Sequence, residues 1–194
     1  MKAGTTARSE GRFSYVLKVT LSEIKPPIWR RFQIPGHYTL GDLHEVLQIT
    51  MGWPNAHLHS FYVGGIEYSD PTFAGDGIEF TDEDHTTLES LLPGEGFKFR
   101  YVYDFGDDWN HVIAVEAVTP VEQIPEEEYG RVVCLKGKRA CPPEDCGSVG
   151  GYYSLLDAFH NPESPENQEL IEWAGNYDPD WFNIEDVNSR LQDC

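Results

Sequence analysis

The stretch YVYDFGDDWNHVI, Tyr101 to Ile113, packs three aspartates, a histidine and a tryptophan around one glycine. Apolar and aromatic residues alternate with polar ones on both sides of Gly106, as in two strands meeting at a turn. Phe97, Phe99, Tyr101, Tyr103 and Phe105 share one face of the first strand; Trp109, His111, Ile113 and Val115 share one face of the second. Placing Phe105 opposite Trp109 makes these faces coincide and leaves Gly106-Asp107-Asp108 as a three-residue loop. A two-residue loop turns one core face to water. In the favoured register His111 lies opposite Tyr103 among aromatics, and Asp104 points to the other face with Asn110. No Asp104–His111 metal pair is then expected. Asp107 and Asp108 read as turn residues bonded to local backbone, and His111 as a hydrogen-bonded core histidine. The functional reading puts Asp107 and His111 at the rim of a cleft. The DFG triplet within the stretch is accidental, because the chain has no glycine-rich phosphate loop or catalytic-loop signature of a kinase.

Upstream, Tyr15, Leu17, Val19 and Leu21 alternate with polar neighbours. Ile28, Phe32 and Ile34 resume that period after Pro26-Pro27, which predicts a first hairpin. In TLGDLHEVLQITMGW, Leu40, Leu43, Val46, Leu47 and Met51 recur at helical spacing. Thr39 and Asp42 form an acidic capping box, and Gly52 and Pro54 end the helix. HLHSFYVGGIEYSD reads as a strand with a turn or bulge at Gly64-Gly65, and TLESLL as a short apolar segment. The order strand, strand, helix, strand, short segment, strand predicts an α+β fold: a β-grasp-like mixed sheet crossed by one helix. After Pro120 the chain is punctuated by Gly, Pro and Cys. There it predicts an extra small hairpin and a C-terminal set of short helices. Residues 1–12 are expected to be a loose tail and residues 13–194 a single domain.

Apolar residues at 40 % and aromatics at 13 % match a globular chain with a core. The net charge of -19, from 14 basic and 33 acidic residues, disfavours general binding to nucleic acid or anionic membranes. No apolar run reaches the roughly 20 residues needed to span a bilayer, and the N-terminus lacks a secretory core. A cytoplasmic setting is expected, with its four cysteines read as thiols or metal ligands before disulfides.

His57 and His59 share a face if both lie on a strand, yet two histidines do not complete a metal site. The plainer reading is a loop histidine and a strand histidine with separate partners. In CLKGKRAC a two-residue turn at Gly137-Lys138 pairs Cys134 with Cys141 at cross-strand distance. With Cys146 beyond PPED, three thiolates and a histidine suit a structural zinc, although no CxxC pair is present. Cys194 reads as a loose terminal thiol. GSVGG, Gly147 to Gly151, lacks the Lys-Ser/Thr of a phosphate loop and reads as a left-handed turn. Glu144 and Asp145 are either a carboxylate pair for acid–base chemistry or a solvated loop.

Five segments in order, PPIWRRFQIP, TLGDLHEVLQITMGWPNAHLHSF, FRYVYDFGDDWNHVI, ACPPEDCGSVGGY and DPDWFNIEDVN, resemble the plasmid pRiA4b ORF-3-like family from about Phe13 to Leu191. The resemblance implies a compact α+β fold and a home in prokaryotic genomes and mobile elements. It assigns no reaction. Some members carry the label of a transposon passenger resolvase, which the few arginines and acidic charge here do not support. Its motif residues map onto Trp29, Arg30, Trp53, His59, Asp104, Asp107, Trp109, His111, Cys141, Pro142, Glu144 and Asp145. If the CPPED loop folds over the second hairpin, Trp53, His59, Asp107, Trp109, His111, Glu144 and Asp145 form a candidate groove. The leading expectation is a binding or interaction module for a protein or small molecule. The alternatives are a metal-dependent hydrolase or nuclease using His59, Asp107, His111, Glu144 and Asp145, and a zinc-stabilised fold built on Cys134, Cys141 and Cys146.

Overall fold

A computed structural model describes residues 12–73 and 80–192. Residues 1–11 of the expected tail and Cys194 lie outside the described residues. The elements in chain order are β1 (Phe13–Leu21), β2 (Trp29–Pro35), α1 (Leu40–Met51), β3 (His59–Val63), β4 (Ile66–Ser69), β5 (Thr81–Asp82), α2 (Leu88–Leu91), β6 (Lys98–Tyr103), β7 (Trp109–Pro120), β8 (Val133–Lys138), α3 (Ser148–His160), α4 (Pro165–Ala174) and α5 (Ile184–Leu191). The strands form one eight-stranded sheet in the order β5-β4-β3-β6-β7-β1-β2-β8. Among the described residues only the β4–β5 pair is parallel, which makes the sheet mixed. The fold is α+β, as expected.

The alternation read from sequence decides which face is covered. Leu17, Val19, Phe32, Phe61, Tyr101, Trp109 and Ile113 turn inward and are fully buried, beneath Leu40, Leu43, Val46 and Leu47 of α1. The opposite face carries an ion pair, Arg31 with Glu116, and a cation over an aromatic ring, Arg100 over Tyr62. A sheet covered on one side and wet on the other needs this two-residue period. Helix α1 begins at the expected capping box, with Thr39 Oγ1 accepting from the Asp42 amide and Asp42 Oδ2 accepting from the Thr39 amide.

Two local expectations are corrected. First, Tyr103 stands opposite Trp109 and Tyr101 opposite His111, two residues from the expected register. A shift of two preserves every side chain's face, so the aromatic face survives. The hairpin loop instead grows to five residues, Asp104 to Asp108, and Phe105 moves out to 52 % exposure. Second, no turn forms at Gly137-Lys138. Strand β8 runs straight through both and pairs with β2, Arg30 opposite Gly137. Gly137 is required there, because a Cβ would sit 2.5 Å from the Phe182 ring and 2.8 Å from the Arg30 side chain. Phe182 covers the Arg30 guanidinium, which donates to the carbonyls of Thr50, Trp29 and Lys138. Arg30 is thereby a buried tie between β2, β8 and the end of α1.

Candidate functional site

The end of the sheet where β3, β6 and β7 meet carries two clusters of titratable groups. The first lies beneath a cleft of about 610 Å³ between α1, the 55–58 loop and the 83–84 turn. His44 occupies the buried stripe of α1, four residues after Leu40 and four before Gln48. Its ring stacks on that of His59 from β3, with centroids 3.4 Å apart and planes within 4°. His44 Nδ1 lies 2.8 Å from the Tyr101 hydroxyl and Nε2 2.7 Å from Asn55 Oδ1. Gln48 also donates to the Tyr101 oxygen. His59 Nε2 meets both oxygens of Glu83, at 2.9 and 3.0 Å.

Burial sets the charge of this cluster. Desolvation pushes the Glu83 carboxyl up to about 8, with the nearby charges of Asp84, Asp70 and Asp82 adding to the shift. Desolvation holds His59 down at about 4, and desolvation with the neighbouring His59 holds His44 at about 3. The Glu83–His59 pair therefore keeps one proton through the neutral range, whichever partner carries it. On the cleft wall, Gly41 leaves room for Asp84: a Cβ there would stand 2.2 Å from Asp84 Oδ1.

The second cluster is wetter. His57 lies in the loop before β3, where its Nε2 is 3.2 Å from Glu144 Oε2, 3.5 Å from Asp145 Oδ1 and 3.8 Å from Asp104 Oδ2. Asp104 (φ +56) and Asp145 (φ +54) are left-handed, a conformation that aspartate and asparagine tolerate better than most non-glycine residues. Asp104 Oδ1 accepts from the amides of Gly106 and Asp107, which fixes the carboxylate and turns Oδ2 toward His57. The Tyr103 hydroxyl donates to Glu144 Oε1 and accepts from the Ala56 amide. Desolvation raises the Glu144 carboxyl above its ordinary value, and burial pushes the Tyr103 hydroxyl up to about 12.

The CPPED loop does fold over the second hairpin: Trp53 Nε1 donates to the Pro142 carbonyl, and the Gly147 amide donates to Asp107 Oδ2. Of the sequence-derived groove residues, Glu144 and Asp145 join His57. Asp107 braces the start of α3. His59 faces the other way, toward Glu83. Trp53, Trp109 and His111 form an aromatic layer underneath, with Trp53 4.9 Å from the Tyr103 ring and edge-on to His111 at 5.4 Å. His111 is wholly buried and held down at about 4 by desolvation. Its ring sits within reach of the Tyr101 and Trp109 backbone, in keeping with the core histidine expected.

Among the described residues, one trio of His, Cys, Asp or Glu brings ligand atoms within 4.8 Å of one another: His57, Asp104 and Glu144. The Cys134, Cys141 and Cys146 sulfurs do not converge in this way. Cys134 sits opposite Phe32 on β8, and Cys141 lies beside Arg30. Desolvation raises all three thiols, Cys141 to about 11 and Cys146 to about 12.

Sequence reasoning weighed His57 only as half of a pair and sent Asp104 to the wrong side. It passed over His44, Asn55, Glu83 and Tyr103. Polar residues on an otherwise apolar helical stripe, His44 and Gln48, were a readable signal. Glu83, inside the acidic run TDEDH, offered none.

The chain matches the family model described as plasmid pRiA4b ORF-3-like protein over residues 14–186. It is 35 % identical over 181 residues to "Uncharacterized protein y4hQ" of Sinorhizobium fredii (strain NBRC 101917 / NGR234), covering 91 % of this chain and 90 % of that one. Its fold is similar to the crystal structure of the protein of unknown function MM3350 from Methanosarcina mazei Go1. That likeness has a TM-score of 0.78 at 32 % identity and covers 91 % of this chain and 97 % of the other. With its fold and nearly its whole length matched, the chain belongs to the plasmid pRiA4b ORF-3-like family.

Proposed function

We propose that the protein is a binding module whose cleft takes a small organic cation, such as an amine, a guanidinium compound or a basic side chain. One observation carries this reading. The described residues lining the cleft include five carboxyl groups and three imidazoles, with no lysine or arginine among them. Asp42, Glu45, Asp70 and Asp84 surround the opening, while Glu83 and His59 at the floor form a hydrogen-bonded pair. Low-dielectric walls focus a negative potential in such a cleft, which attracts cations and repels phosphates and carboxylates. Its volume is in the range that holds a small ligand. The setting we assign is the cytoplasm. Cys134, Cys141 and Cys146 are free thiols, and no helix among the described residues is long and apolar enough to cross a membrane.

The hydrolase alternative needs five side chains at one point. Here His111 is sealed in the core and His59 is engaged with Glu83, so only Glu144 and Asp145 meet at His57.

The test is calorimetric titration of chelator-treated protein with a linear diamine, an alkylguanidine and a quaternary ammonium, alongside matched carboxylates. A saturable cation isotherm is expected, weakened at least about tenfold by the double variant Glu45→Gln with Asp84→Asn. Binding that is absent up to millimolar ligand, or indifferent to that variant, refutes the reading.

A further inference from the structure

We propose that His57, Asp104 and Glu144 form a site for one divalent first-row transition ion of the zinc type, with Asp145 as an exposed fourth ligand. The site stands apart from the cation reading of the cleft, sharing only His57 with its lining.

Geometry is the first argument. Ligand atoms around a tetrahedral zinc at 2.0–2.1 Å lie about 3.3–3.4 Å from one another. The His57 Nε2 separations of 3.2, 3.5 and 3.8 Å from three carboxylate oxygens bracket that edge. The ligand atoms of His57, Asp104 and Glu144 all lie within 4.8 Å of one another.

A buried oxygen without a donor is the second, independent argument. Glu144 Oε2 is sealed from solvent and has no hydrogen-bond partner, with His57 Nε2 3.2 Å away. A carboxylate oxygen in that position is costly unless something positive meets it. Asp104, 94 % buried as a residue (6 % exposed), aims Oδ2 at the same point while its other oxygen is held by the 104–108 loop.

The third argument is the surrounding shell. Tyr103 holds Glu144 Oε1 and is itself fixed by the Ala56 amide, the kind of outer contact that orients metal ligands. One imidazole with carboxylates is a mixed donor set that suits zinc or manganese better than calcium, and zinc binds tighter on the general affinity order. Asp145, with its side chain 76 % exposed, leaves the ion open to water or a ligand.

The probe is Co²⁺ and Zn²⁺ titrated into chelator-treated full-length protein, read by visible absorption, calorimetry and thermal unfolding, with Mn²⁺ and Ca²⁺ in parallel. One ion per chain is expected, with d–d bands of a four- or five-coordinate nitrogen–oxygen site and no sulfur charge-transfer band. His57→Gln and Glu144→Gln should each weaken binding at least tenfold while the metal-free unfolding temperature holds. Tyr103→Phe should weaken it by less. Three results overturn the proposal: no stoichiometric binding, binding unchanged in the His57→Gln/Glu144→Gln double variant, or a cobalt–thiolate band that moves the site to the cysteines. Retained cleft binding of amines in Glu144→Gln, which alters no residue of the cleft lining, would separate this failure from failure of the cation reading.

Discussion

His57 and His59 are two residues apart and meet opposite solvent. His59 belongs to β3, stacks on His44 and is closed off by Glu83. His57 belongs to the preceding loop and faces Glu144 and the exposed carboxylate of Asp145. In the dry cluster His44 meets Tyr101 and Asn55, Gln48 donates to Tyr101, and His59 meets Glu83. In the wet one an oxygen is left without a donor. The same residue type is structural in one place and available in the other, and the difference comes from whether the neighbouring strand ladder has begun.

The strongest test of that contrast is a matched pair of substitutions. His59→Ala removes a buried imidazole, opens a void beside His44 and strands Glu83 without its partner. The cost should be about 3 kcal/mol of unfolding free energy. His57→Ala, at a loop position, should change stability by no more than about 0.5 kcal/mol in metal-free protein. Equal losses from chemical denaturation of the two variants would break the distinction.

The dry cluster should also announce itself by pH. Glu83 faces His59 from β3 and the carboxylates Asp70, Asp82 and Asp84, and desolvation is the main cause that raises it from an ordinary 4.5 to about 8. A carboxyl raised in the folded state holds a proton that the unfolded chain has already released. Its contribution is therefore fully present below 4.5 and is lost as pH rises through 8. Between pH 6.5 and 8 that slope amounts to about 2 kcal/mol, at roughly 1.4 kcal/mol per unit. Denaturant midpoints should fall over this window, and Glu83→Gln, which keeps a hydrogen-bonding amide at His59, should flatten the fall. A wild-type profile without the alkaline decline would mean that Glu83 is ionised and that the cluster is an ion pair.

Sequence patterning carried the sheet well, because the side-chain period of a strand is two and the core face is a parity question. Misplacing the Tyr101–His111 pairing by two residues left parity intact and so left Tyr103, Trp109 and His111 in the core. The same error mattered at the loop. Parity is silent about a residue that leaves the ladder, and Asp104 in a left-handed conformation points where no strand rule sends it. Capping chemistry located α1 because Thr39 and Asp42 act over three residues. Glu83 was illegible as a site group because its partner His59 comes from a strand 24 residues earlier. Cys134 and Cys141 misled for the opposite reason: a plausible local turn was overridden by β8 pairing with β2.

Asp104 offers a finer cut at the same contrast. Its Oδ1 caps two loop amides, and its φ of +56 tolerates asparagine better than alanine. Asp104→Asn should therefore keep the loop and cost only a few tenths of a kcal/mol, whereas Asp104→Ala loses both amide contacts and should cost about 1 kcal/mol. Denaturant midpoints of the two variants at pH 7 check this. If the asparagine and alanine variants are equally stable, the loop is not held by that side chain.

The smallest stability effect is the most informative about His57. In metal-free protein, His57→Gln should be nearly silent, because the imidazole fills no core space. With zinc present at about a hundred times its dissociation constant, the wild type should gain about 2.7 kcal/mol from mass action. A tenfold or greater loss of affinity would cut the variant's gain by about 1.4 kcal/mol or more. The difference between the two proteins thus exists only when the ion is there, which a merely structural histidine cannot produce. A His57→Gln deficit that is the same with chelator and with zinc would place His57 in the same structural class as His59.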